Sequence, residues 1–328
     1  MKTTLLFLSF FMLTAVVSRA QEIAVQSPSN VTKVYNDLNK AITAAEAGSI
    51  VFLPAGGVQL NDSVKITKRL TIIGVGHRSD TEGGFTMVAG KFQFYKGSDG
   101  SSLMGVYLSG DVYIANTDGE VNNFLLQYCN VNSVQVGNQY CSTLLINQNY
   151  LRNGSNGGNS PIHFTNNIVH SIVNVNCGII DNNIIRLSGG YSYNYSNYSY
   201  LYFALFDISS TSIKNNILVE PNYIHSGSNC VISNNMLTSV WGDNSVVVTD
   251  WNAVLVKSDL GVNPLCDYHL KSTAGKNAGS DGTDIGIYGG TGFNDAALPP
   301  FPQIVSKSIP AQTDEFGNLK IQVKVKAQ

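Results

Sequence analysis

Residues 180–185 read Ile-Asp-Asn-Asn-Ile-Ile, and this order of an apolar residue, polar residues ending in asparagine and two apolar residues recurs along the chain. The other copies are 146–151, 164–169, 213–218 and 232–237, with a looser copy at 127–131. The last asparagine of each copy is at position 130, 149, 167, 183, 216 or 235, so the steps are 19, 18, 16, 33 and 19 residues. Most of these steps are too short for a strand followed by a helix. They are typical of a solenoid, in which the short strands of one coil stack on those of the next.

Asparagine suits two tasks in such a coil. It tolerates the left-handed backbone of a tight bend. Its amide group both donates and accepts, so equivalent asparagines on stacked coils can hydrogen-bond into a ladder. We therefore predict a column formed by Asn149, Asn167, Asn183, Asn216 and Asn235. The 33-residue step contains a tyrosine-rich insertion at 188–202, which predicts a protruding loop. Asn216 is therefore expected to be separated from Asn183 either by this long loop or by an extra, irregular coil at 203–208.

The composition agrees with a β-protein built from many turns. Charged residues make up 13% of the chain, against about 25% in ordinary soluble proteins. Of the 35 asparagines, 26 lie between Asn116 and Asn244, which is the region of the repeat. The net charge is −2 and no stretch is strongly basic, so a nucleic-acid-binding protein is excluded.

The N-terminus indicates export. Residues 1–20 have a basic start, an apolar run at 5–17 and a small-residue cleavage site at 18–20, which are the features of a secretory signal peptide. Removal of this segment leaves 18 basic and 22 acidic residues. No other segment is apolar enough over about 20 residues to span a membrane. We expect a secreted monomer in the periplasm, at the cell surface or outside the cell, with a β-helix domain at 21–298 and a proline-rich extension at 299–328.

The ends of the stack are also visible in the sequence. Residues 34–45 have apolar residues at helical spacing, which predicts an amphipathic helix that caps the first coil. Strand-like runs follow at 50–53, 64–73, 86–95 and 103–114, and we expect one continuous stack over about 50–290. A proline-rich segment at 299–302 ends it, and 319–325 alternates as a final strand.

Three parts of the chain resemble a known family. They are the helix and first coil at 37–56, the Asn-Asn repeat, and the closing segment that contains 267–271, 275–279 and 284–290. In these the chain resembles secreted right-handed parallel β-helix proteins of the pectate-lyase-like type found in Bacteroidetes. The resemblance implies an all-β, single-domain right-handed parallel β-helix and a carbohydrate-related function. The family's catalytic signatures are mostly absent, since the sequence has no Asp-Asp pair, no Gly-His-Gly and no Arg-x-Lys. We expect His269 and Asp284 of the closing segment to be structural.

The repeat also predicts a candidate site. The position three residues after the ladder asparagine is Arg152, His170 and Arg186 in three successive copies. Adjacent coils are about 4.8 Å apart, so these side chains would form a positive column pointing into solvent. The insertion begins directly after Arg186, and its tyrosines would bind sugar rings as a neighbouring wall. These are Tyr191, Tyr193, Tyr195, Tyr198 and Tyr200.

Such a column suits an anionic polysaccharide. Arginine pairs with carboxylates, and β-elimination of uronic acids needs a base and a cation that stabilises the developing charge. We therefore predict catalytic roles for Arg152, His170 and Arg186 in a polysaccharide lyase. The alternative is a non-catalytic glycan-binding or structural protein. The sequence shows no acid pair for a glycoside hydrolase. It also shows no oxygen cluster for calcium, although folded coils could create one, so no cofactor is expected and Ca²⁺ stays an open alternative.

Five cysteines follow the predicted signal peptide, and their spacing fits no zinc site. Their strand-like surroundings predict buried free thiols. This expectation applies above all to Cys177 and Cys230.

Overall fold

The computed structural model describes residues 22–61, 64–80, 84–116, 119–137, 140–186, 192–193, 201–202, 204–219, 224–226, 228–257, 266–296, 298–308, 312–313 and 315–326. Within these residues the chain forms a parallel β-helix with three faces, which confirms the predicted fold class. Each regular coil contributes one strand to sheet A, then one to sheet B and one to sheet C. The predicted signal peptide lies outside the described residues.

Sheet A has eleven strands. The two pairings at its N-terminal end are antiparallel, and the others are parallel. In spatial order they are β2 (Thr32–Tyr35), β1 (Ile23–Gln26), β3 (Ser49–Phe52), β5 (Leu70–Ile73), β8 (Ser102–Met104), β11 (Leu125–Gln127), β14 (Leu144–Asn147), β17 (Ile162–Thr165), β20 (Ile179–Asp181), β25 (Ser212–Lys214) and β28 (Val231–Ser233).

Sheets B and C are parallel throughout. Sheet B consists of β4 (Gly56–Gln59), β6 (Thr86–Ala89), β9 (Tyr107–Leu108), β12 (Asn130–Val131), β15 (Tyr150–Leu151), β18 (Ile168–Val169), β21 (Ile184–Arg186), β26 (Ile217–Val219), β29 (Met236–Leu237) and β30 (Val246–Val247). Sheet C consists of β7 (Phe92–Phe94), β10 (Val112–Ile114), β13 (Val134–Val136), β16 (Ser155–Ser160), β19 (Ile172–Asn176), β24 (Leu205–Ser209) and β27 (Ile224–Ser226).

The remaining elements are short. Three antiparallel pairs are formed by β22 (Ser192–Tyr193) with β23 (Leu201–Tyr202), β31 (Leu255–Lys257) with β32 (Asp267–Leu270), and β33 (Gln303–Ser308) with β34 (Gln322–Lys326). The helices are α1 (Leu38–Ala44) and α2 (Trp251–Val254). The final strand predicted at 319–325 therefore exists, displaced by one to three residues.

The predicted asparagine ladder is confirmed. The amide Nδ2 of each ladder residue donates to Oδ1 of the next, at 3.1 Å from Asn149 to Asn167, 3.1 Å from Asn167 to Asn183, 3.0 Å from Asn183 to Asn216 and 3.0 Å from Asn216 to Asn235. All five side chains are fully buried. The ladder replaces the backbone partners that are missing where each coil bends from sheet A into sheet B.

The 33-residue step contains no additional coil. Asn183 and Asn216 are direct ladder neighbours, and the insertion leaves the coil between β21 and β24. The irregular coil predicted at 203–208 is wrong, because β24 pairs with β19 as an ordinary sheet C strand from Leu205 onward. Ile172 pairs directly with Leu205, so β24 belongs to the coil that follows β19 in sheet C, with no coil between them.

The residue before each ladder asparagine has a different task. Gln148, Asn166, Asn182, Asn215 and Asn234 have left-handed backbones, with φ between 52° and 56°. Their side chains leave the coil and bind residues 274–296, which we call the strap. The contacts run from Asn234 Nδ2 to Ala278 O (2.9 Å), Asn215 Nδ2 to Ser280 Oγ (3.1 Å), Asn182 Nδ2 to Gly286 O (3.2 Å) and Asn166 Nδ2 to Gly289 O (2.8 Å), and Asn294 N donates to Gln148 Oε1 (2.8 Å).

The strap runs back along the outside of the coils, so the prediction that coils continue to about residue 290 is wrong. The last strand of the stack is β30. Burial drives the return, because the outward residues of sheet B are apolar and pack under the strap as a second core. This core includes Tyr150, Ile168, Ile184, Ile217 and Met236 from the coils and Ile285, Ile287 and Phe293 from the strap.

Both ends of the stack are covered. Helix α1 is shorter than predicted, because Thr32–Tyr35 forms strand β2 instead. Asp37 caps the N-terminus of the helix by accepting a hydrogen bond from Lys40 N at 2.9 Å. At the other end Asp243 N donates to Ile232 O at 3.0 Å, and Trp241 packs against the main core. These contacts occupy sheet edges that would otherwise pair with other chains.

The five cysteines carry free thiols. Cys129 and Cys141 are buried, as predicted, but Cys177 is exposed and Cys230 is partly buried. The prediction for Cys177 is wrong because this residue occupies a bend with φ of 57°, outside the strand on which the expectation rested. Among the described helices, none is long and apolar enough to cross a membrane.

Candidate functional site

The three basic residues predicted as a column do occupy successive coils. Strand pairing aligns Leu151 with Val169 and Val169 with Ile185, so the residues that follow them share one position in the repeat. They lie beyond the apolar column of sheet B that the strap covers. The structure therefore brings Arg152, His170 and Arg186 together in sequence register, but their surroundings differ.

Arg152 is engaged by the preceding coils. Its guanidinium donates to Asn130 Oδ1 at 2.6 Å and to Leu108 O at 2.7 Å, and it lies 4.7 Å above the ring of Tyr107. Burial lowers the pKa of the group, although it remains a cation at any physiological pH. Arg152 therefore satisfies hydrogen-bond acceptors of the two preceding coils, which is the role of a structural side chain.

Arg186 and His170 are buried, so the expectation that they point into solvent is wrong. Their exposed fractions are 4% and 3%. Arg186 Nη1 has no hydrogen-bond partner among the residues that the structure describes. A buried guanidinium nitrogen without an acceptor is costly, and this makes Arg186 the unusual member of the column.

Four of the five tyrosines predicted as a sugar-binding wall lie outside the described residues. These are Tyr191, Tyr195, Tyr198 and Tyr200. Tyr193 belongs to the short pair β22–β23, which shows that the insertion contains an antiparallel ribbon. The role predicted for the tyrosines stays a prediction.

Sequence reasoning missed an acidic pair on the other side of the ladder. Asp181, at the end of β20, has a buried Oδ1 with no hydrogen-bond partner in the described part of the chain. Burial raises its pKa to about 6, and the negative charge of Asp281 in the strap adds to the rise. Asp281 itself accepts from Thr283 Oγ1 at 2.7 Å, and these hydrogen bonds hold its pKa below the usual range.

The two aspartates are 100 residues apart in the chain. Nothing in the repeat signals their proximity, because it depends on the return path of the strap. Asp284, which we expected to be structural, accepts from Asn277 N at 2.9 Å within the same strap.

Among the described residues, no group of three or more His, Cys, Asp or Glu side chains is arranged to hold a metal ion. No family model matches the sequence, and neither a curated protein nor a solved structure matches the chain. The chemistry of its residues is therefore the basis for any functional assignment.

Proposed function

We propose that the protein is an exported glycan-binding β-helix that takes an acidic polysaccharide along the column of Arg152, His170 and Arg186, beyond the part of sheet B that the strap covers, with Arg186 holding a sugar carboxylate. The observation that carries this proposal is the buried guanidinium of Arg186, whose Nη1 has no hydrogen-bond partner among the described residues. A carboxylate would neutralise the cation and supply the missing acceptor at the same time.

The physical argument concerns the cost of burying charge. A guanidinium stays protonated, so it cannot escape burial by losing a proton. Removing one partner of a buried ion pair costs about 3–5 kcal/mol, and a buried arginine with a nitrogen that lacks a partner among the described residues can recover part of such a cost on binding an anion. The two-pronged geometry of arginine matches a carboxylate.

His170 extends the proposal from binding to cleavage. It precedes Arg186 by one coil, a spacing of about 4.8 Å. In β-elimination a base takes the proton next to the carboxylate, the carbon–oxygen bond to the leaving sugar breaks, and a carbon–carbon double bond forms as the leaving oxygen gains a proton. His170 would be the base and Arg186 the stabilising cation.

Binding without cleavage is the second candidate, and Arg152 favours it. A third basic side chain at the column would help a lyase, but Arg152 is committed to backbone carbonyls of two earlier coils. A protein of this kind would bind a polymer on a rigid surface and leave it intact.

The test is a titration of the full-length mature protein with fragments of polygalacturonate, alginate, hyaluronan and heparin, followed by calorimetry. Arg186→Ala should weaken binding of the preferred fragment at least tenfold, and salt should weaken binding to the wild-type protein. The matched control is Lys214→Ala, because Lys214 is a basic residue of the same region on sheet A. Equal affinities for the wild type and Arg186→Ala, or equal losses in both variants, would exclude the proposed role of Arg186.

Cleavage is measured separately through the ultraviolet absorbance of the unsaturated product. Absorbance that rises with the wild type and not with His170→Ala or Arg186→Ala supports the lyase. Binding without a rise in absorbance supports the non-catalytic candidate.

A further inference from the structure

A row of aromatic rings runs from the second core to the surface. Its members lie in the order His77, Tyr150, Phe293, Tyr288 and His269, with ring-centroid separations of 5.3, 5.5, 6.4 and 3.7 Å. His77, at the inner end, is 3% exposed. His269, at the outer end, has a side chain that is 52% exposed.

The outermost ring is held in one orientation. His269 stacks on Tyr288 with an angle of 13° between the planes, and its Nδ1 lies 2.7 Å from Asp267 Oδ1. Tyr288 is held in turn by donating its hydroxyl to Asp295 Oδ1 at 2.7 Å. One face of the His269 ring is covered by this stack, and the half-exposed side chain shows that the other is open to solvent.

One carboxylate lies directly against this ring, because Asp267 Oδ1 is 2.7 Å from His269 Nδ1 and the Asp267 side chain is 46% exposed. On the other side of Tyr288, Asp295 O accepts from Arg78 Nη1 at 2.8 Å, and Arg78 forms an ion pair with Asp80 at 2.7 Å. These contacts fix the strap next to Tyr288, and Asp267 is the polar group in contact with the exposed ring.

We propose that His269 is the platform of a binding site for a neutral sugar ring. The C–H face of a pyranose stacks on an aromatic ring, and its hydroxyl groups donate to carboxylates. The His269 ring and the Asp267 carboxylate offer both kinds of contact in a fixed orientation, which lowers the entropic cost of binding. The Asp267 carboxylate disfavours acidic sugars, so this site differs in specificity from the site proposed at Arg186.

Anchoring of the strap does not account for the arrangement. Tyr288 and Phe293 pack into the second core and fix the strap to the coils. His269 lies outside that core and covers only the outer face of Tyr288. An exposed ring fixed by both a stack and a carboxylate is expected of a surface that receives a ligand.

The experiment follows the ring signals of the histidines by NMR in the full-length mature protein. The probes are tetrasaccharides of cellulose, xylan, mannan and β-1,4-galactan at millimolar concentration. At least one should shift the His269 signals in a saturable way. His269→Ala should weaken binding of that probe about fivefold or more, and His269→Phe, which keeps a ring, should retain most of it.

The matched control is His163→Ala, because His163 lies on sheet A, away from the strap, and is partly exposed. It should leave the affinity for the probe unchanged. No saturable shift with any of the four probes would overturn the proposal, and so would equal losses in His269→Ala and His163→Ala. If His269→Ala disturbs folding, the wild-type spectra decide, because saturable shifts confined to histidines other than His269 would overturn the proposal.

This inference does not rest on the function proposed at Arg186, and the two fail separately. Neutral-sugar binding should persist in Arg186→Ala, and binding of the acidic fragments should persist in His269→Ala. Loss of acidic binding in His269→Ala would show one shared site and would overturn the separate neutral-sugar site.

Discussion

Replacing Asn183 with leucine removes the centre of the asparagine ladder while nearly conserving side-chain volume. Asn183 Nδ2 donates to Phe164 O, Asp181 O and Asn216 Oδ1, and its Oδ1 accepts from the backbone and side-chain nitrogens of Asn167. Asp181 O keeps a second donor in Asn166 N, and Asn216 Oδ1 still accepts from Asn183 N. Phe164 O keeps a backbone donor from the parallel pairing of β17 with β20, so the buried group that loses its partner is Asn167 N.

A buried polar group left without a partner costs about 1–3 kcal/mol. Since leucine keeps the packing, the free energy of unfolding should fall by about 1–3 kcal/mol. The control is Asn153→Leu, at an exposed asparagine with a single side-chain contact, Nδ2 to Asn132 Oδ1, which should cost less than about 0.5 kcal/mol. Denaturant unfolding followed by circular dichroism measures both. Similar losses in the two variants would refute a stabilising role for the buried ladder.

Three further outcomes are expected. Asp181→Asn should stabilise the protein at pH 8 and lose that advantage below pH 4, because the folded pKa of about 6 exceeds the unfolded value of 3.8 and the wild type loses stability as pH rises through this window; identical pH profiles in denaturant unfolding would contradict this. Gly286→Ala should lower the midpoint of unfolding, because φ is +98° and a Cβ would lie 2.6 Å from Ile217 Cδ1; an unchanged midpoint would show that the strap does not stabilise the coils. A thiol reagent should label Cys177 rapidly and leave Cys129 unlabelled in the native protein, because Cys129 is fully buried and burial raises its pKa to about 12; labelling of Cys129 at a similar rate would contradict its place in the core.

The coils could be predicted because the residues that form each bend are adjacent in sequence and recur in every copy of the repeat. Aligning the copies therefore predicts the column of Asn149 to Asn235. The insertion did not disturb that prediction, because β19 and β24 pair across it in the usual register. The same alignment predicted that Arg152, His170 and Arg186 lie in successive coils, because each follows a ladder asparagine by three residues.

Exposure and the strap could not be predicted in this way. Register gives the coil of Arg186, but burial depends on segments far away in sequence. The outward residues Ile168, Ile184 and Ile217 read as ordinary strand residues, and nothing local shows that residues 274–296 return to cover them. The pairing of Asp181 with Asp281 and the stack of His269 on Tyr288 depend on that return.

The double asparagine makes the number of coils and the length of the strap interdependent. In most solenoids a coil can be gained or lost without disturbing its neighbours beyond one interface. Here each of five coils is also bound from outside, and each step of about 4.8 Å along the axis must be spanned by the strap segment between two successive contacts. A duplicated coil would leave one outer asparagine unbound or pull every later contact out of register. The length of the strap therefore limits the number of coils, and evolution can lengthen this β-helix only by changing the coils and the strap together.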